Sequence, residues 1–157
     1  MKAAIRSTIF ALLCASGGAF AAGGDSGPSW STAPADPAIE RAQQAIAAKD
    51  WARAASVMRA AVAGQPGNAD YHNLYAYALR RGPHPDMKLV FQEYEEALRI
   101  DPEHRNAHEY IGEAYLQVGD LAKAKQHLAA LDRLCFFPCE QYSELKQAVR
   151  EYERSHE

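Results

Sequence analysis

The chain has 157 residues, 48% of them hydrophobic, 24% charged and 10% aromatic, which suits one ordinary folded domain and excludes a disordered or collagen-like chain. Seventeen Lys and Arg against twenty Asp and Glu give a formal charge of −3. The basic stripe that phosphate-backbone binding needs is therefore missing, and nucleic acid is not an expected partner. Three cysteines are too few for a disulfide scaffold, and the glycines and prolines fall largely where helices would end.

Residues 1–21 combine a basic head (Lys2, Arg6), an apolar run over residues 8–13 and a small-residue tail, Ala19-Phe20-Ala21. That is the pattern of a cleavable secretory signal peptide, and it predicts a periplasmic or secreted protein. The run is shorter than the roughly 20 residues that cross a bilayer, and no later stretch is longer, so no membrane span is expected. Acylation at Cys14 is the alternative, but Leu13 is bulky for the position before such a site. Residues 22–34, rich in Gly, Ser and Pro, read as a flexible leader.

Asp50, Asp86 and Asp120 each open an apolar-periodic stretch, and each is a credible helix N-cap. Upstream of each lies a second helical pattern of similar length. Pro66 and Pro102 close the first two units. A period near 34 residues made of two helices means a solenoid. Three units follow, at 35–68, 69–104 and 105–138. A last stretch at 139–157 repeats Tyr142, Leu145, Val149 and Tyr152 at helical spacing among charged residues, as a capping helix would. The expected class is all-α, with seven helices.

The residues carrying this period resemble the tetratricopeptide (TPR) pattern. The third unit reads His108-x2-Ile111-Gly112-x2-Tyr115 and then Ala124-x3-Leu128; the second reads His72-x2-Tyr75-Ala76-x2-Leu79, then Val90-x3-Tyr94 and Pro102. The first reads Ala38-x2-Arg41-Ala42-x2-Ala45, then Ala54-x3-Met58 and Pro66, with Arg41 where an apolar residue is expected. Gly112, Ala76 and Ala42 are expected to let the two helices of a hairpin approach closely, and Tyr115, Leu79, Tyr94 and Leu128 to fill the space between hairpins.

The resemblance implies a concave groove, lined by the first helix of each unit, that holds a segment of another protein. Carried over by position, the second unit presents Asn73, Tyr77, Arg80 and Arg81, and the third Asn106, Glu109, Tyr110, Glu113 and Gln117. The first unit offers Ile39, Glu40 and Gln43. Tyr77 and Tyr110 are the expected apolar anchors, and Tyr77 and Glu113 are expected to be exposed. The implied function is an adaptor for a segment of another envelope protein. Self-association through a solenoid end is a further possibility.

Cys135-Phe136-Phe137-Pro138-Cys139 joins the last repeat helix to the cap. Pro138 ends the preceding helix, so the thiols can approach. Three readings stand: a structural disulfide, free thiols, or a copper or redox site. The Cys-x3-Cys spacing resembles that of exported copper-delivery proteins, which have another fold and add a His ligand. His127, eight residues before Cys135, is about 12 Å away along a straight helix. The alternative function is therefore a thiol- or copper-handling accessory protein.

His104 and His108 share the spacing of one helix face but lack further ligands, so no metal site is expected there, and His72 and His84 carry none either. Glu93, Glu95 and Glu96 with Arg99 read as a solvated face. No Gly-rich phosphate loop, nucleophile elbow or paired-carboxylate motif is present, so neither an enzyme nor a cofactor is expected.

Overall fold

The computed structural model describes residues 36–137 and 139–156. The signal peptide, the leader, Cys14 and Pro138 lie outside the described residues. Within them run seven helices and no strand: α1 (Pro37–Ala47), α2 (Trp51–Gly64), α3 (Ala69–Arg81), α4 (Met87–Ile100), α5 (Arg105–Gln117), α6 (Leu121–Leu134) and α7 (Glu140–Ser155). The seven-helix expectation holds. Consecutive helices pair as hairpins α1/α2, α3/α4 and α5/α6, and the first helices of successive hairpins pack side by side, with α7 laid on α5 and α6.

The helix starts explain the spacing. Asp50, Asp86 and Asp120 cap α2, α4 and α6 by accepting backbone N–H bonds, as the sequence indicates. The first helices are capped by Asp36, Asn68 and His104, whose Nδ1 accepts from the Ala107 N–H at 3.1 Å. Two of the hairpin turns are the same object. Lys49 (φ 57°) and Gly119 (φ 85°) take the left-handed conformation, and the next N–H, of Asp50 or Asp120, bonds the carbonyl of Ala45 or Tyr115 at 2.8 Å. In this motif the residue that ends one helix leads directly into the cap of the next.

The larger core runs through the second and third hairpins and the cap: Ala76, Val90, Tyr94, Ile111, Ala114, Tyr115, Ala124, Leu131, Leu145 and Val149. Phe91 stacks on Tyr115 with ring centres 4.5 Å apart, which fills the seam between these hairpins. The first hairpin has two smaller clusters, around Ala42, Met58 and Tyr75 and around Ala45, Ala54 and Ala78.

Gly112 corrects an expectation. A Cβ there would lie 2.6 Å from Leu145 Cδ2, so the close approach it permits is between α5 and α7, not between the helices of its own hairpin. Bonds one repeat apart tie the first helices together: the Tyr71 hydroxyl donates to Asp36 at 2.6 Å, His104 Nε2 meets Asp70 at 3.0 Å, and Gln141 donates to Asn106 at 2.8 Å.

Candidate partner-binding groove

Three first helices in a row make one wall, and their pairings fix its register. Tyr77 meets Tyr110 with ring centres 4.7 Å apart, and Arg80 donates to Glu113 at 2.6 Å. Both pairs join residues 33 apart (110 − 77 and 113 − 80), which sets Asn73 level with Asn106 on the next helix.

An aromatic row crosses this wall. Trp51, at the start of α2, meets Tyr77 edge-on at 6.2 Å, and Tyr77 leads to Tyr110. Arg81 lies over the Trp51 ring at 5.4 Å and over Tyr77 at 6.0 Å; Arg80 lies over Tyr77 at 5.7 Å. Cation and ring attract through the ring quadrupole, so the arginines hold the row in place while leaving part of each ring open. Trp51 is missing from the sequence-based set, because the spacing within α3 carries no information about a residue that reaches it from α2.

The positions carried over by family resemblance divide by burial. Arg81 and Gln117 are exposed, while Asn106, Tyr77, Tyr110 and Glu113 are half-buried. Asn73, Arg80 and Glu109 are buried, at 2%, 8% and 8% exposure, so they are not an open surface. Tyr77 and Glu113 were expected to be exposed, and both are partly covered because Tyr110 and Arg80 pack on them. In the first unit Glu40 and Gln43 are exposed and Ile39 is half-buried.

The electrostatics of the wall change from one side to the other. Burial raises the Glu109 carboxyl to about 8, helped by Glu113 on its own helix and by Glu144 and Glu140 of α7, and opposed by Arg80. Burial, followed by Glu109, Tyr77 and Glu113, pushes the Tyr110 hydroxyl up to about 12. Buried polar atoms without a hydrogen-bond partner among the described residues are Asn73 Oδ1, Arg80 Nε and the Tyr94 hydroxyl. Beyond Arg80 and Glu113 the wall continues into a hollow bounded by Gln117, Ala148, Glu151 and Tyr152. A larger hollow on the outer face of α7, along Tyr142, Lys146, Arg150 and Arg154, has only that helix as a wall among the described residues.

His72 and His108 are engaged within the fold. His72 bonds Glu93 at 2.6 Å and the Pro66 carbonyl at 2.9 Å; His108 bonds His127 at 3.0 Å and the Pro102 carbonyl at 3.0 Å. The same position in two units thus ties a first helix to the closing proline six residues before it. Glu93 is correspondingly drawn off the solvated face where the sequence sets it, while Glu96 pairs with Arg99 at 2.7 Å as expected. His127 is held down at about 4 by burial and by His108 beside it. The Cα atoms of Cys135 and Cys139 are 5.7 Å apart, inside the span of a disulfide, and their sulfurs are at bonding distance. Between them Phe136 and Phe137 stand 94% and 76% exposed. Among the described residues no three His, Cys, Asp or Glu side chains are grouped to hold a metal, and no helix is long and apolar enough to cross a membrane.

No protein-family model and no curated protein matches the sequence. Solved structures do share the fold. The TPR2B domain of yeast Sti1, solved in complex with pHsp70, aligns with a TM-score of 0.67 and 18% identity over 75% of this chain and 94% of that one. The type III secretion translocator chaperone SycD of Yersinia enterocolitica aligns with a TM-score of 0.66 and 15% identity over 76% of this chain and 83% of that one. At these identities the likeness is one of fold: the chain is a TPR-like helical solenoid.

Proposed function

We propose that this protein is an exported adaptor whose concave wall holds a segment of another envelope protein, and that it is a binding module, not an enzyme. The observation that carries the reading is the Trp51, Tyr77, Tyr110 row, three rings side by side between two arginines and a cluster of carboxylates. Aromatic residues flanked by arginine give an interface large contact area at low entropic cost, with charges that set register. The two solved relatives of the fold, one described in complex with pHsp70 and the other as a translocator chaperone, support a partner that is itself a polypeptide.

Export rests on the N-terminal pattern, and the cysteine geometry agrees with it. In an oxidising compartment a pair so close forms a disulfide, which would pin the start of α7, a helix that lacks a side-chain cap. N-terminal sequencing of the protein recovered from its host should begin at Ala22 or beside it. Thiol titration of the same material should find Cys135 and Cys139 unreactive until reduced; two reactive thiols would restore the thiol-handling reading.

Affinity capture from cross-linked envelope extract tests the adaptor itself. A Tyr77→Ala, Arg81→Glu variant keeps the Arg80 to Glu113 pair and should retain its helical spectrum while losing the captured partner. Equal capture by both proteins would show that this wall is not the working surface.

A further inference from the structure

The wall is basic and aromatic over α2 and α3 and acidic over α5 and α7. Among the described residues no hydrogen bond or ion pair reaches the Glu109 carboxyl; the residue as a whole is only 8% exposed, while its carboxyl oxygens still reach water. Around it lie Glu113 on its own helix and Glu140 and Glu144 on α7. Arg80 of α3, the cation that acts on Glu109, is already bonded to Glu113. Elsewhere on the wall, on α3, Asn73 Oδ1 is sealed from water and has no donor. Buried carboxylates are costly unless paired, and idle buried acceptors are rare in folded chains. The free protein is thus short of positive charge around Glu109.

We propose that the bound segment carries a lysine or arginine whose side chain lies against the groove side of α5 and α7 and pairs with the Glu109 carboxylate. This deepens the adaptor reading and rests on it, since it names what the held segment must contain. Four carboxylates, Glu109 and the three gathered around it, favour a cation over any neutral or acidic side chain. The aromatic row, which begins at the adjoining Tyr110, accommodates the apolar part of the same segment, and Arg81 at its far end favours an acidic residue there, so the polarity of the wall fixes the direction of the chain.

The pairing has a pH signature. In the free protein Glu109 is protonated up to about pH 8. Pairing with a cation requires the ionised form, so binding releases a proton below that pH. Affinity should then rise by up to about tenfold per pH unit as pH approaches 8 and level off above it. Arg80 from α3, Glu113 and Tyr110 on α5, and Glu140 and Glu144 from α7 are the charged and titratable groups that face Glu109 and shift this point.

The test is an array of capped nine-residue peptides, randomised except for a central Arg, Leu or Glu, probed with the purified labelled protein. Arg-centred peptides should retain at least about fivefold more protein than Glu-centred ones. The best of them, titrated in solution, should bind more tightly at pH 8 than at pH 6.5. Glu109→Gln should erase both the preference and the pH dependence while its circular dichroism stays native, and Glu144→Gln should weaken the preference in part. Peptides that bind without regard to the central residue, or a Glu109→Gln protein that keeps the preference, would overturn the cation pairing and leave the adaptor reading standing. Failure of every peptide to bind would overturn both.

Discussion

The first and third hairpins share a backbone and differ in what fills it. Both turn through a left-handed residue into an Asp cap, at Lys49-Asp50 and Gly119-Asp120, with matching hydrogen bonds. The third places Ile111, Tyr115 and Leu131 in a core continuous with the second hairpin and with Leu145 and Val149 of the cap. The first buries Ala42, Ala45, Ala54 and Met58 in two smaller clusters, one of which meets the larger core only through half-buried Leu79. Caps and turns therefore set the repeat, while side-chain size sets how firmly each repeat is held. In a solenoid each unit leans only on its neighbours, so the small-residue end opens first. The groove inherits this difference: its acidic half, on α5 and α7, is held more firmly than the half nearest α1.

The largest effect should come from large-to-small changes that read the two cores against each other. Leu131→Ala and Met58→Ala each empty a fully buried site, a change that typically costs about 2–5 kcal/mol. Leu131→Ala should lower the midpoint of the whole urea transition. Met58→Ala should instead speed hydrogen exchange in α1 and α2 and leave α5 and α6 protected. Equal loss of protection throughout the chain would show that the solenoid unfolds as one unit and that the contrast between its ends is only one of composition.

Gly112→Leu comes next. Its new Cβ would press on Leu145, and overpacking of this kind costs roughly 1–3 kcal/mol or more. The expected casualty is the docking of α7, visible as early loss of its amide protection. Gly112→Leu with Leu145→Ala should recover part of the loss, because the two sites share one contact and their effects cannot add. Absence of any recovery would place the strain elsewhere in α5.

This case shows what the sequence could and could not convey. The 34-residue period, the Asp caps and the small residue at position 112 are local features, and each was legible. The partner of Gly112 was not, because helical spacing says that a position must stay small without saying which helix approaches it. The groove follows the same division. Tyr77 and Tyr110 came from their place in the repeat, but Trp51 reaches the row from another helix, and burial of Asn73, Arg80 and Glu109 depends on how closely the first helices lie side by side. His104 as a cap was hidden for a chemical reason: Ser, Thr, Asp and Asn are the usual acceptors there, and an imidazole nitrogen serves only when its ring is held, here by Asp70.

The pH dependence of stability sharpens the contrast at the acidic half. Glu109 has a folded value of about 8 against an ordinary one of 4.5, so the native state binds the extra proton, and stability should fall as pH rises from 4.5 through 8. His127, at about 4 against 6.5, acts in the opposite sense: the unfolded chain binds the proton first, so stability should fall as pH drops from 6.5 towards 4. Glu109→Gln should leave the acid side unchanged and stabilise the protein at pH 8, by something of the order of 2 kcal/mol. Thermal melts of the two proteins across this range decide the matter, and curves that stay parallel would mean that the carboxyl is already ionised in the folded state. A variant that gains stability and loses cation recognition would also explain why an unpaired carboxyl stands in the groove.

The smallest effect tests the turn that the two hairpins share. Gly119 adopts its positive φ freely, whereas the Cβ of Lys49 makes the same conformation unfavourable by roughly 1 kcal/mol. Lys49 is exposed, and its N–H bond to the Ile46 carbonyl at 2.9 Å does not depend on the side chain. Lys49→Gly should therefore stabilise α1 and α2 by about 0.5–1 kcal/mol, less the added freedom of glycine in the unfolded chain. The reverse exchange, Gly119→Lys, should destabilise the third hairpin by a similar amount. Because the larger core depends on that hairpin, Gly119→Lys should lower the main melting transition, while Lys49→Gly should slow hydrogen exchange only at the first hairpin. If both substitutions moved the same transition, the two ends would be coupled through α3 more tightly than their separate cores imply.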